Sequence, residues 1–339
     1  MSFLRHGYAQ FAALLIGLLA PSQLAARNRP RMEGRNAQQA LQADPSNVQA
    51  RARYAQALSE QGACRLTLDQ LDILRQSPDG WDSQTATLEG TCWLRLGHFS
   101  LAETALDEAI FLDSGNAIAR LRRAELSIMQ GDWPNVEEQQ SALALLKQTD
   151  RILWMLSLET LLATGEGDLQ AETLMFRESA NNSGATRASK VGIIYDGRGW
   201  LRDGHPEAAV DVFGDVLNQN INLWQASLYR IEAYRRAGQQ QKAQEILERS
   251  LILRIDWAIK DAFAARVLVD LGRLDDAAAL MDGLEMSSLL EVIESRWYLA
   301  HARGDVDAMG YHAALWETRN LAPGRSLNDL LPTASGETP

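Results

Sequence analysis

The stretch WLRLGHFSLAETAL, residues 93–106, decides how this chain folds. Leu94 and Leu96 close one apolar run, and Ala102, Ala105 and Leu106 open another at helical spacing. Gly97 stands between them. Glycine inside a helix costs about 1 kcal/mol against alanine, so Gly97 reads as a turn joining two helices. One such glycine proves little, whereas a recurring one defines an architecture.

The glycine recurs. Equivalent positions are Gly62, Gly97, Gly131, Gly165, Gly204, Gly238, Gly272 and Gly304, at intervals of 35, 34, 34, 39, 34, 34 and 32 residues. Their neighbours recur with them. Seven residues earlier stand small side chains (Ala55, Gly90, Ala124, Gly197, Ala265), with Leu158 and Ile231 departing. Four residues earlier stand large ones (Leu58, Trp93, Leu161, Trp200, Tyr234, Leu268), with Ser127 departing. Five residues later come Ala102, Ala209, Ala243 and Ala277. Nine later come Leu71, Leu106, Leu174, Phe213, Leu247 and Met281. Small beside large at these spacings lets paired helices approach closely and interlock.

The clearest copies are GWLRDGHPEAAVDVF (199–213), AYRRAGQQQKAQEIL (233–247) and LVDLGRLDDAAALM (268–281). ALQADPSN (40–47) adds a helix ending in Asp-Pro. Over roughly residues 35–318 the chain resembles the tetratricopeptide repeat (TPR) family, whose unit is a 34-residue helix-turn-helix. The resemblance implies an all-α, right-handed superhelical solenoid of about eight repeats. Stacking then buries the apolar faces that no single repeat can bury alone. The copies at Gly131, Gly165 and Gly304 are degenerate.

The expected division is N-terminal repeats over 35–177 and C-terminal repeats over 190–318. Between them ESANNSGATRAS (178–189) reads as a polar loop responsible for the 39-residue interval. Residues 319–339, rich in Pro, Gly, Ser and Thr, read as a disordered tail. At the other end no acidic residue precedes Glu33, and Arg5 and His6 precede the apolar FAALLIGLLA (11–20). With PSQLAA (21–26) this forms a secretory signal peptide over 1–26, followed by a basic linker over 27–34. The chain is then exported, as to a periplasm. Arg27, Arg29, Arg31 and Arg35 directly behind the apolar run support the alternative, an uncleaved membrane anchor with a cytoplasmic body.

The net charge of −11 argues against nucleic acid or an anionic membrane surface as the main partner. No nucleophile elbow, HExxH, GxGxxG or P-loop motif is present, so no catalytic residue, cofactor or metal is expected. His98 and His205 follow turn glycines and read as turn residues.

The TPR resemblance implies that the first helix of each repeat lines a concave groove. Carried onto this chain, the partner-binding positions are Ile118, Leu121, Glu125, Ile152, Met155, Glu159, Ile194, Arg198, Arg202, Leu228, Glu232, Arg235, Arg236 and Arg266. Apolar residues rimmed by arginine suit a protein or peptide with an apolar segment and an acidic or C-terminal end. The competing arrangement has the apolar positions packing on the next helix and the arginines pairing with Glu125, Glu159 and Glu232. The Lys and Asn carboxylate clamp of chaperone-binding family members is absent. The expected function is a non-enzymatic scaffold or adaptor in a cell-envelope complex for secretion, pilus assembly or polysaccharide export. The alternative is a peptide or glycan receptor using the same groove. Cys64 and Cys92 fall at coincident levels of neighbouring repeats, facing the interface between them. They form a disulfide candidate in an exported chain, or else two buried thiols.

Overall fold

The computed structural model describes residues 23–146, 150–182, 186–218, 224–251, 255–322 and 324–331. These residues form seventeen α-helices, one short 3-10 helix and no strand. The leading helix α1 (Gln23–Ala43) packs on α2 (Val48–Glu60), and eight helix pairs follow. The first four are α2 with α3 (Cys64–Arg75), α4 (Ser83–Leu96) with α5 (Phe99–Leu112), α6 (Ala117–Gln130) with α7 (Trp133–Leu145), and α8 (Asp150–Thr164) with α9 (Leu169–Asn182). The second four are α10 (Thr186–Arg202) with α11 (Pro206–Asn218), α12 (Trp224–Arg236) with α13 (Gln240–Leu251), α14 (Ala258–Asp270) with α15 (Leu274–Asp282), and α16 (Leu290–Arg303) with α17 (Val306–Arg319). The degenerate copies at Gly131 and Gly304 form pairs as regular as the rest, and the copy at Gly165 departs in its turn.

All eight recurring glycines have φ between 70° and 82°. That left-handed conformation closes a helix C-terminus and suits glycine. The glycine amide turns back onto the helix, and the next amide donates to the carbonyl five residues earlier. This second bond is seen from His98 to Trp93 (2.9 Å), His205 to Trp200 (2.8 Å), Gln239 to Tyr234 (2.8 Å) and Asp305 to Ala300 (3.0 Å). The recurring large residue four before the glycine is therefore the acceptor in this capping motif. Gly165 uses the simpler single bond, from its own amide to the Leu161 carbonyl (3.0 Å).

That exception explains the 39-residue interval. α9 starts four residues after Gly165, against two in the other pairs. α10 is also longer, 17 residues against 13–15 for the other first helices. The expected loop at 178–189 is instead helical to Asn182 and again from Thr186, with 183–185 outside the described residues. The turn insertion shifts the register of α9 by two. Leu174, expected in the core, is 54% exposed, and Phe176 takes its place at 1%.

The small–large interlock is direct. A Cβ on Gly90 would lie 2.5 Å from Leu106 Cγ, and one on Gly197 would lie 2.5 Å from the Phe213 ring. Each glycine thus receives the large residue of its own repeat's second helix.

The array is not an open solenoid, because its ends meet. The Asp256 amide donates to the Gly62 carbonyl (2.8 Å), and Asp256 Oδ2 accepts from the Arg65 amide (3.0 Å). The Ser288 amide donates to the Gly97 carbonyl (2.9 Å), and α4 touches α14. One apolar cluster accordingly joins Leu94, Phe99 and Leu126 to the C-terminal repeats.

The chain beyond α17 also departs from expectation. In place of a disordered tail, it packs as far as Leu331, with residues 332–339 outside the described set. Leu327 and Leu330, three apart on the 3-10 helix α18 (Leu327–Leu330), are both buried. A reciprocal capping box between Ser326 and Asp329 shapes this strap.

The proposed signal or anchor lies outside the described residues up to position 22. α1 runs unbroken through the expected basic linker, and Gly34 packs on Ala57. No helix among the described residues is long and apolar enough to cross a membrane.

Candidate functional site

The inner face is built from one repeated position, six residues before each turn glycine. It is occupied by Glu125 on α6, Glu159 on α8, Arg198 on α10, Glu232 on α12 and Arg266 on α14. Consecutive first helices stack side by side, so these side chains form a ladder. Arg122 Nη1 pairs with Glu125 (2.6 Å), and Arg198 Nη1 with Glu159 (2.9 Å). Glu232 holds both Arg235 (2.8 Å) and Arg266 (2.8 Å), and Arg266 continues to Glu294 (2.9 Å). The strap adds Arg325, whose Nη2 meets Glu294 at 2.7 Å. Arg235 also donates to the Leu330 carbonyl (2.6 Å).

The electrostatics follow from this pairing. Burial works against the charge of Glu232, but Arg235 and Arg266 outweigh it and hold the carboxyl down at about 2. Burial also opposes the Glu294 charge, and Arg325 and Arg266 again prevail and lower it. Glu125 goes the other way. Its burial and the Glu159 carboxylate outweigh Arg122 and raise it.

The expected binding residues therefore divide. Arg235 and Arg266, at 0% and 2% exposure, belong to the internal network and present no free guanidinium to a partner. Glu125 and Glu232 are buried with them, while Arg198 and Glu159 are half-buried partners of each other. Leu121, Ile194 and Leu228 are core residues. Ile152 and Met155 are half-buried against the clusters of α6–α9, and Ile118 is exposed. Among the described residues these positions form no continuous apolar strip. Adjacent first helices bury Leu121, Ile194 and Leu228, and the strap covers the charged floor between α12 and α16.

Arg202 and Arg236 have a structural task that sequence reading missed. Each stands two residues before its turn glycine, as Arg95 does. Arg95 Nη1 donates to the Ser59 carbonyl (2.8 Å), Arg202 Nη1 to Leu161 (2.9 Å) and Arg236 Nη1 to Leu201 (2.7 Å). All three reach the C-terminal carbonyls of the preceding first helix. A guanidinium there satisfies orphan acceptors and complements the helix dipole. The recurrence of Arg at that spacing was the available signal.

An open cleft of about 650 Å³ lies between the α10–α11 turn and the strap. Arg202, Asp203 and Pro206 form one wall, Arg236 lies alongside, and Arg325, Asn328 and Asp329 of the strap close it. Three guanidinium groups and two carboxylates line it, in a chain whose net charge is −11; Arg202 pairs with Asp203 (2.7 Å) and Arg325 with Glu294 (2.7 Å), so an incoming carboxylate would exchange with these partners. Burial and the neighbouring charges of Arg235 and Arg325 lower the Arg236 pKa. Such a cleft suits a carboxylate or an acidic segment. Arg325 was the missed contributor, since nothing local in the sequence ties position 325 to the distant repeats that carry Arg202 and Arg236. Among the described residues no group of His, Cys, Asp and Glu is arranged to hold a metal ion.

No protein-family model matches the sequence. No curated protein matches it. Among solved structures, the chain is similar to a tetratricopeptide repeat protein from Parabacteroides merdae, with 10% identity and a TM-score of 0.29 over 87% of this chain and 94% of that one. It is also similar to a chain of the APC/C hetero-tetramer Cut9–Hcn1, with 13% identity and a TM-score of 0.36 over 87% of this chain and 79% of that one.

Proposed function

We propose that this chain is a non-enzymatic scaffold that binds a protein partner through an acidic or C-terminal peptide segment. The receiving site is the cleft of Arg202, Arg236 and Arg325, and the setting is a cell-envelope complex for secretion, pilus assembly or polysaccharide export. The observation that carries the reading is the convergence of three arginines, from two repeats and the strap, on one open cleft. Arginine binds carboxylates bidentately, which gives orientation as well as affinity. The closed array supplies a rigid support. A glycan receptor would present exposed aromatic faces, and no tryptophan with a described side chain is exposed.

The test is calorimetric titration of the full chain with a pool of short acidic peptides bearing free C-termini, against the same pool amidated. Salt-sensitive binding that is weaker for the amidated pool, and that falls at least tenfold in Arg202→Gln/Arg325→Gln, is the expected result. Binding indifferent to both changes overturns the site. Export is tested separately by N-terminal sequencing of the native protein from cell fractions. A start near Arg27 supports it, and an intact N-terminus in the membrane fraction supports the anchor.

A further inference from the structure

The chain has two cysteines in 339 residues, and folding brings them together. Cys64 is the first residue of α3, and Cys92 lies on α4 of the next repeat. Both are fully buried in one small cluster with Leu96, flanked by Leu68 and Trp93. They are free thiols in contact, so the sequence-based disulfide candidate is present here in its reduced form. Cys92 packs with Cys64 in this cluster. Arg95 Nη1 lies 3.9 Å from Cys64 Sγ, and Cys92 Sγ lies 3.9 Å from Ser59 Oγ.

This surrounding is unlike that of two thiols filling space. Cys64 is the first residue of its helix, and its sulfur lies beside the Arg95 guanidinium. Both favour the thiolate. The neighbouring Cys92 thiol, with Arg95, outweighs burial and the Asp256 carboxylate and lowers the Cys64 thiol. The same contact, with burial, pushes Cys92 up. One sulfur is thus prepared to attack, and the other is held protonated beside it.

We propose that Cys64 and Cys92 form an oxidative modification site at which hydrogen peroxide installs a disulfide between the first and second repeats. The Cys64 thiolate attacks one peroxide oxygen. The O–O bond breaks, the departing hydroxide takes a proton to become water, and Cys64 becomes a sulfenic acid. Cys92 then loses its proton and attacks that sulfur, the S–S bond forms, and the second oxygen leaves as water. Two thiols give up two electrons to one peroxide and yield one disulfide and two waters. Both sulfurs are buried, so the reaction requires the α2–α3 turn to open, and peroxide, close to water in size, needs the smallest opening. The product ties that turn to α4 beside the point where Asp256 meets Gly62 and Arg65.

Intact-mass measurement of the full-length chain after dilute peroxide decides the matter. The wild type is expected to lose the mass of two hydrogens and to recover it on treatment with a thiol reductant. Cys92→Ser is expected to stop at the sulfenic acid, trapped as its dimedone adduct, and Cys64→Ser to stay reduced at the same dose. Wild-type chain that gains oxygen without losing hydrogen overturns the proposal. So does chain that keeps two alkylatable thiols under conditions that fully oxidise its urea-unfolded form. Both readings use the wild type alone, so they stand even if a serine variant fails to fold.

Discussion

Glu232 pairs with two buried guanidiniums, whose remaining charge is met by Asp270 and Glu294, and this sets the energetics of the inner face at the residue scale. Removing one partner of a buried ion pair leaves an uncompensated charge, which costs about 3–5 kcal/mol. Glu232→Gln is expected to lose that much stability in urea unfolding at neutral pH. The folded-state pKa of Glu232, about 2, is depressed from its ordinary 4.5. The contribution of its charge is therefore complete above pH 4.5 and is lost as pH falls toward 2. The gap between variant and wild type should shrink across that window, and a constant gap would contradict the pairing. Repeat spacing put Glu232, Arg235 and Arg266 on the same side of their helices and left open whether the arginines face a partner or pair with the glutamates; in the structure they pair. Whether an arginine is free depends on the residue one repeat away, and for Arg235 on Leu330, 95 residues later. Repeat spacing reports which face a side chain occupies and carries no record of its partner.

Turns and helix pairs were the most legible element. The eight glycines predicted all eight turns, because a left-handed C-cap suits glycine and little else. The two extra residues after Gly165 were not legible, since a polar stretch elsewhere in the same interval offered a simpler explanation. Substitutions separate the glycine roles. Gly304→Ala meets nothing within 4 Å, so it should cost only the left-handed penalty of about 1–2 kcal/mol. In Gly97→Ala the new Cβ falls 2.0 Å from Ser287 Oγ and 2.9 Å from Ser287 Cβ, so thermal unfolding should show a larger loss. Equal losses would mean that Ser287 does not lie there. Gly197→Ala gains about 1 kcal/mol of helix propensity. Its Cβ meets the Phe213 ring at 2.5 Å, and overpacking of about 1–3 kcal/mol should prevail. Phe213→Leu in that background should restore part of the loss, and a stabilised Gly197→Ala single variant would refute the interlock.

At the scale of the whole molecule, closure turns a row of repeats into a self-supported body. The contacts that close it combine backbone hydrogen bonds of turns and connections with an apolar cluster that joins Leu94, Phe99 and Leu126 to the C-terminal repeats. Helical periodicity shows which side chains are apolar and not which distant repeat they meet, so it carries no record of closure. Closure and the strap together occupy the inner face and leave the arginine cleft as an approach for a partner. Hydrogen exchange at the amides of Asp256 and Ser288 tests this arrangement most directly. Both amides lie between helices and donate across the closure, to Gly62 and Gly97 respectively. The closed array predicts exchange far slower than that of an unstructured chain at both sites, with Gly97→Ala accelerating Ser288. Exchange of both amides at unprotected rates in the wild type would contradict closure and restore the open solenoid.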